Sequence, residues 1–166
     1  NLKRGEYFFM VGSLSPNKNL DWVLNAARKN ADETFAIAGN AVAYGKSYST
    51  DELANVDLLG YVSDGEMKAL MRNCKAFIFP SFFEGFGIPP LEAMSVGAKV
   101  LVSNASCLPE IYGNSAIYID PYNSDIDINE FLKKPVDSPE LVLEKYSFAN
   151  TAKKIYADIK FMLNEE

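Results

Sequence analysis

Apolar positions follow two alternating rhythms along this chain. Short, nearly continuous apolar runs at residues 7–12, 34–39, 56–60, 76–80, 99–103 and 116–119 read as strands without a polar face. Between them lie stretches of helical period at 20–29, 64–73, 90–96 and 147–163, the first opening behind Asn19, a residue suited to an N-cap. Strands lacking a polar face need cover on both sides, and alternation with helices supplies it. The expected fold is therefore α/β: a Rossmann-like parallel sheet of about six strands with helices on both faces. In the last helical stretch Phe148, Ala152, Ile155, Ile159 and Met162 recur three and four positions apart. That stripe is expected to cover the domain's own core for most of its length, leaving some of Phe161, Met162 and Leu163 in solvent.

Sheets of this kind bind ligands beyond the carboxyl ends of their strands. The fourth apolar run leads there into Pro80-Ser81-Phe82-Phe83-Glu84-Gly85-Phe86-Gly87-Ile88-Pro89-Pro90-Leu91-Glu92. Gly85 and Gly87 let a ligand approach the main chain closely, and Pro89 and Pro90 suit a first helical turn, where a missing N–H costs little. A strand, a glycine turn and a helix start together present free N–H groups to an anion. Glu84 and Glu92 flank that anion site, and a carboxylate accepts hydrogen bonds from ribose or sugar hydroxyls. The combination describes a nucleotide sugar. Each part also has an ordinary explanation: Glu92 as an acid in a first helical turn favoured by the macrodipole, Glu84 as a solvated loop acid.

Composition narrows the classes. With 166 residues the chain fits one domain, 1–166, with a sizeable core, and a formal net charge of −6 offers no electrostatic footprint for nucleic acid. No apolar run approaches the length of a bilayer span, and the opening Asn1–Glu6 reads as a linker leading into a strand rather than as a signal peptide. Cys74 and Cys107 form neither a disulfide framework nor a metal spacing, so a reducing, cytoplasmic setting is expected. Histidine is absent, which excludes a Ser-His or Cys-His nucleophile pair within this chain. Gly39 to Ser47 imitates a phosphate-binding P-loop, but five residues separate its glycines where four are needed, and it reads as a loop after the second strand. A dinucleotide fingerprint fails too, because Pro90 stands where a third small residue should pack helix on strand.

Glu84 to Glu92 resembles the Glu-x7-Glu motif of the retaining, GT-B-fold glycosyltransferases often called group 1 or family 4. The resemblance continues through Leu91-Glu92-Ala93-Met94, Gly97 to Ser103, Leu108-Pro109-Glu110-Ile111 and Asp120-Pro121, and upstream through Val11 to Asn19. It covers nearly the whole chain and corresponds to the C-terminal, donor-binding lobe of such an enzyme, with the N-terminal acceptor lobe lying outside it. It implies that Glu84 lies against the donor sugar and that Lys18 neutralises the diphosphate leaving group, as the catalytic residues. It further implies donor contacts from Gly85, Phe86, Gly87 and Ile88, from Glu92 to the ribose hydroxyls, and from Tyr61 and Val62 beside the base. Ser13 stands where the family usually has an arginine, and a hydroxyl brings one hydrogen bond but no charge.

By this resemblance the complete enzyme moves a sugar from a nucleotide diphosphate sugar to an acceptor hydroxyl in polysaccharide or glycolipid biosynthesis. No cofactor or metal is expected. The partners implied are the donor, the chain's own N-terminal lobe and, through that lobe, peripheral contact with the inner face of the membrane. The chain alone is expected to bind nucleotide weakly and to transfer nothing. Three other readings stay open: a non-catalytic nucleotide-sugar-binding module, favoured by Ser13; another GT-B-like enzyme such as an epimerase; and a doubly wound domain whose glycine turn binds some other phosphate ligand.

Overall fold

The structure is a computed structural model that describes residues 2–12, 15–39, 42–43, 46–47 and 53–163, the two short central pieces through their backbone only. Its strands are β1 (Tyr7–Val11), β2 (Thr34–Ala38), β3 (Val42–Ala43), β4 (Lys46–Ser47), β5 (Val56–Gly60), β6 (Ala76–Phe79), β7 (Val100–Ser103) and β8 (Ile117–Ile119). Its α-helices are α1 (Leu20–Lys29), α2 (Asp64–Asn73), α3 (Ile88–Ser95), α4 (Leu108–Tyr112), α5 (Ile128–Leu132), α6 (Glu140–Lys145) and α7 (Phe148–Met162). Six strands form one sheet in the order β5-β2-β1-β6-β7-β8. Every pairing in it is parallel. This is the doubly wound order, and its direction reverses between β1 and β6.

The expected α/β sheet is thus present, and its strands are apolar for the expected reason. Along β1, Phe8 and Met10 pack into a core with Leu20, Trp22, Val23, Leu24, Ala26 and Ala27 of α1 and Ile128 of α5. Tyr7 and Phe9 point the other way, into a second core with Met71 of α2, Met94 of α3, Ile111 of α4 and Val142 of α6. Period-2 side chains with both faces covered leave the central strands almost wholly apolar, with polar residues confined to strand ends and to Asp57 of the edge strand β5.

Four expectations are corrected. Helix α3 begins at Ile88 rather than Pro90, so Glu92 lies beyond the first turn, which contains no acid, and the macrodipole explanation for it falls away. Asn19 occupies the N-cap of α1, but in the left-handed region at φ 57° and without a capping hydrogen bond; its side-chain amide instead donates to Pro80 O at 3.1 Å and Pro121 O at 2.8 Å. The stretch after β2 contains an antiparallel pairing of β3 with β4 rather than loop alone. The largest correction is α7: none of its residues is buried, with Phe148 93% and Phe161 84% exposed, so its apolar stripe covers no part of this core. Both faces of the sheet are already occupied by the shorter helices α4, α5 and α6, which no sequence period announced.

Candidate functional site

The reversal of strand order opens a crevice at the carboxyl ends of β1 and β6, where the connections run to opposite faces and their first residues diverge. A 3₁₀ turn over Pro16–Lys18 follows β1, and the glycine turn follows β6. The two segments are tied together: Phe82 N–H donates to Asn17 O at 2.9 Å and the Asn17 side-chain amide to Phe83 O at 3.4 Å. Asn19 holds Pro80 O from below, as noted. This lacing brings Lys18 to Glu84, 66 positions away in sequence, with Nζ 2.6 Å from Oε1. The two side chains are only 17% and 11% exposed, and Nζ also lies 5.1 Å from the centroid of the Phe79 ring. A short, largely desolvated ion pair between a cation suited to phosphate and a carboxylate suited to hydroxyls stands at the switch point.

The glycine turn itself is held from the β7 side. Ser106 Oγ donates to Glu84 O at 2.8 Å and accepts from Glu84 N–H at 3.3 Å, while the Cys107 thiol donates to the same carbonyl at 3.2 Å. The buried Tyr112 hydroxyl donates to Gly87 O, and burial pushes that phenol above its ordinary range. Gly87 has φ +88° at the N-cap of α3, and a Cβ there would meet Leu108 Cδ2 at 2.6 Å. Conformation favours glycine at that position, and a Cβ would push the buried Leu108 side chain aside. The next residue, Ile88, is 54% exposed at the open N-terminal turn of α3. Phe86 turns its ring away to pack edge-on against Tyr146, with centroids 5.1 Å apart, leaving the turn's backbone toward the crevice.

The other expected site residues spread along the same rim. Glu92 is exposed on α3 and Gly85 is exposed in the turn. Tyr61, 90% exposed, and Val62 follow β5, three strands from β6 and so roughly 14 Å across the sheet. Both line a cavity of about 640 Å³ that runs back along the sheet to Tyr7 and Asn73, away from Lys18 and Glu84. Ser13 lies outside the described residues. Ser81 Oγ, fully buried at the start of the turn, has no hydrogen-bond partner among the described residues. Among those residues no group of three or more His, Cys, Asp or Glu side chains is placed to hold a metal ion, and no helix is long and apolar enough to cross a membrane.

The sequence does not single out Asn17, Ser106, Cys107 or Tyr112 as site residues, and it offers Asn19 only as an N-cap. All act through main-chain carbonyls of the turn, and nothing in their spacing reports such long-range contacts. The one available signal was Leu108-Pro109-Glu110-Ile111, where a proline and an acid mark a helix start that becomes α4.

A doubly wound parallel sheet, with the Lys18–Glu84 pair where its strand order reverses, defines a Rossmann-like α/β domain. The family follows from comparison: residues 1–153 match the model of glycosyl transferases group 1, and the chain belongs to that family. It is 33% identical over 131 residues to O-antigen chain mannosyltransferase B of Escherichia coli, covering 73% of this chain and 34% of that protein. It is 29% identical over 174 residues to the serotype-specific mannosyltransferase WbdA of Escherichia coli, covering 89% of this chain and 21% of that protein. The chain therefore spans about a third and about a fifth of these two relatives. The fold is that of Anabaena HepE, solved in complex with UDP, at a TM-score of 0.77 and 19% identity over 93% of this chain and 48% of that one.

Proposed function

We propose that this chain is the C-terminal, donor-binding lobe of a retaining glycosyltransferase that transfers a sugar from a nucleotide diphosphate sugar to an acceptor hydroxyl in polysaccharide or glycolipid synthesis. The observation that carries the reading is the Lys18–Glu84 pair at the switch point, beside the N-terminus of α3. In the reaction the anomeric C–O bond to the diphosphate breaks as the acceptor oxygen forms its own bond to that carbon. The acceptor's proton leaves with the diphosphate. Charge develops on the departing diphosphate, where Lys18, the positive dipole end of α3 and the Ile88 N–H stabilise it; Pro89 and Pro90 bring no N–H of their own. Glu84 accepts from a hydroxyl of the donor sugar, and exposed Glu92 from the ribose diol. Tyr61 stands far enough along the rim to meet the base. No resident metal is assigned a role.

The mannosyltransferase relatives favour mannose as the transferred sugar. Their greater length leaves room for an N-terminal acceptor lobe, and the bare stripe of α7 is the surface we assign to it. Acceptor contacts and any contact with the inner membrane face belong to that lobe, so this chain alone binds donor weakly and transfers nothing. Two free thiols, Cys74 and Cys107, fit a cytoplasmic setting. Titration of UDP, GDP and ADP into the chain and into Glu92→Ala by calorimetry tests the reading. One diphosphate should bind the wild-type chain and weaken at least about tenfold in the variant, the worth of one charge-assisted hydrogen bond. A wild-type chain that binds none of them at millimolar concentration overturns it.

A further inference from the structure

We infer that Ser106 is a positioning residue that sets Glu84 for the donor sugar; the inference rests on the donor-site reading above. The turn from Pro80 to Gly87 has no ladder of its own, so its polar main-chain groups must find partners elsewhere. Pro80 O takes Asn19, Phe82 N–H takes Asn17, and Gly87 O takes Tyr112. At Glu84 one hydroxyl reaches both main-chain groups: Ser106 Oγ donates to the carbonyl at 2.8 Å and accepts from the N–H at 3.3 Å, while the Cys107 thiol reaches the carbonyl alone, at 3.2 Å, and leaves the N–H to Ser106. A serine hydroxyl is the smallest group that can donate and accept at once. Clamped on both sides of its Cα, Glu84 sends its side chain to Lys18. The next position, Gly85, has nothing within 4 Å of where a Cβ would stand, so no packing there substitutes for the clamp.

Backbone conformation supplies an independent observation. Ser106 has φ +58°, one of two non-glycine residues with positive φ among the described residues. Such a conformation burdens a residue that carries a Cβ, and glycine would adopt it freely. Residues are held there where surrounding structure over-determines them, commonly at functional sites. The side chain that glycine lacks is the one that holds Glu84. Ser106 is itself exposed, so its hydroxyl contributes little to global stability and its purpose is local.

The test compares Ser106→Ala, which removes the hydroxyl and keeps the conformational burden, with Ser106→Gly, which removes both. In the ligand-free chain, amide hydrogen exchange at Glu84 should quicken by roughly tenfold in each variant, the equivalent of one lost hydrogen bond, while β6 amides stay unchanged in both and the urea midpoint stays unchanged in Ser106→Ala. In calorimetry the affinity for a nucleoside diphosphate should hold, and the advantage of the matching nucleotide sugar over that diphosphate should shrink at least about fivefold. Unchanged exchange at Glu84 in both variants, or an unchanged sugar advantage, overturns the inference. A wild-type chain that binds the diphosphate but gains nothing from the sugar overturns it as well, while leaving the diphosphate site intact. Binding of neither compound by the wild type overturns the donor-site reading itself, and is told apart by the exchange result.

Discussion

Helices α1 and α7 both carry an apolar stripe, and the fold treats them in opposite ways. In α1 Leu20, Trp22, Val23, Leu24, Ala26 and Ala27 are all buried, and the Trp22 indole donates to Asp120 O at 2.9 Å and Asn123 O at 3.0 Å. In α7 Phe148, Ile155, Ile159 and Met162 lie in solvent, and the helix is held at its start by the Ser147 cap and by the Asn150 amide, which donates to Glu144 O of α6 at 2.7 Å. A helix of 15 residues is close to the shortest that persists on local interactions. The contrast teaches that a periodic stripe reports a face that gains by being covered, and says nothing about which surface covers it. For α1 the cover is this domain's sheet. For α7 nothing among the described residues covers it, and the proposal above gives that role to an acceptor lobe.

The contrast can be broken or sharpened by substitution. Trp22→Ala should lower unfolding free energy by about 3–5 kcal/mol in urea titration, because it empties a core site and strands two carbonyls. A loss as small as that of a surface residue would mean that α1 is not anchored as described. Next in size is the Lys18–Glu84 pair, the polar counterpart of a covered face. Lys18→Ala and Glu84→Ala each leave a largely desolvated charge unpaired, whereas the double variant leaves none, so a double-mutant cycle should return a coupling of about 0.5–3 kcal/mol. Strict additivity would mean that the pair does not form in solution.

The interface of β1 with α2 gives a pH signature. Burial raises Tyr7, whose hydroxyl donates to Leu70 O at 2.8 Å, from 10.0 to about 12, and raises Cys74 from 9.0 to about 12. Above pH 9 the unfolded chain releases these protons while the folded chain keeps them, so the unfolded state binds fewer protons and stability falls as pH rises. The urea midpoint should be flat below pH 9 with respect to these groups and decline toward pH 12; Tyr7→Phe combined with Cys74→Ala should flatten that decline. Smallest of all is the expected effect on α7. Ile155→Ser and Ile159→Ser should change the stability of this chain by no more than about 0.5 kcal/mol. A loss comparable to that of Trp22→Ala would show that the stripe is covered after all.

The six strands, α1 and α2 were legible in the sequence almost to the residue, because nearly continuous apolar runs and helical stretches between them are local signals; the capping box of Ser63 and Glu66 that starts α2 went unread. The glycine turn was legible as a strand-to-helix junction with two flanking acids, although α3 starts two residues early. The short helices α4, α5 and α6 span less than two turns each and repeat no pattern long enough to detect. Asn19 illustrates a different limit. Its residue type and place fit an N-cap, yet its amide is spent on carbonyls 61 and 102 positions away.

What the sequence determined by itself was therefore the set of elements whose signal is local: apolar period, caps, turn residues, and the residue types able to meet phosphate and hydroxyls. The tertiary structure alone decided which of those residues meet. Lys18 reaches Glu84, Ser106 clamps its peptide and Tyr112 holds Gly87 because parallel strand order sets β1, β6 and β7 side by side, and their carboxyl-end loops have only one another to satisfy their main-chain groups. The same order left α7 uncovered, because both faces of the sheet were already filled.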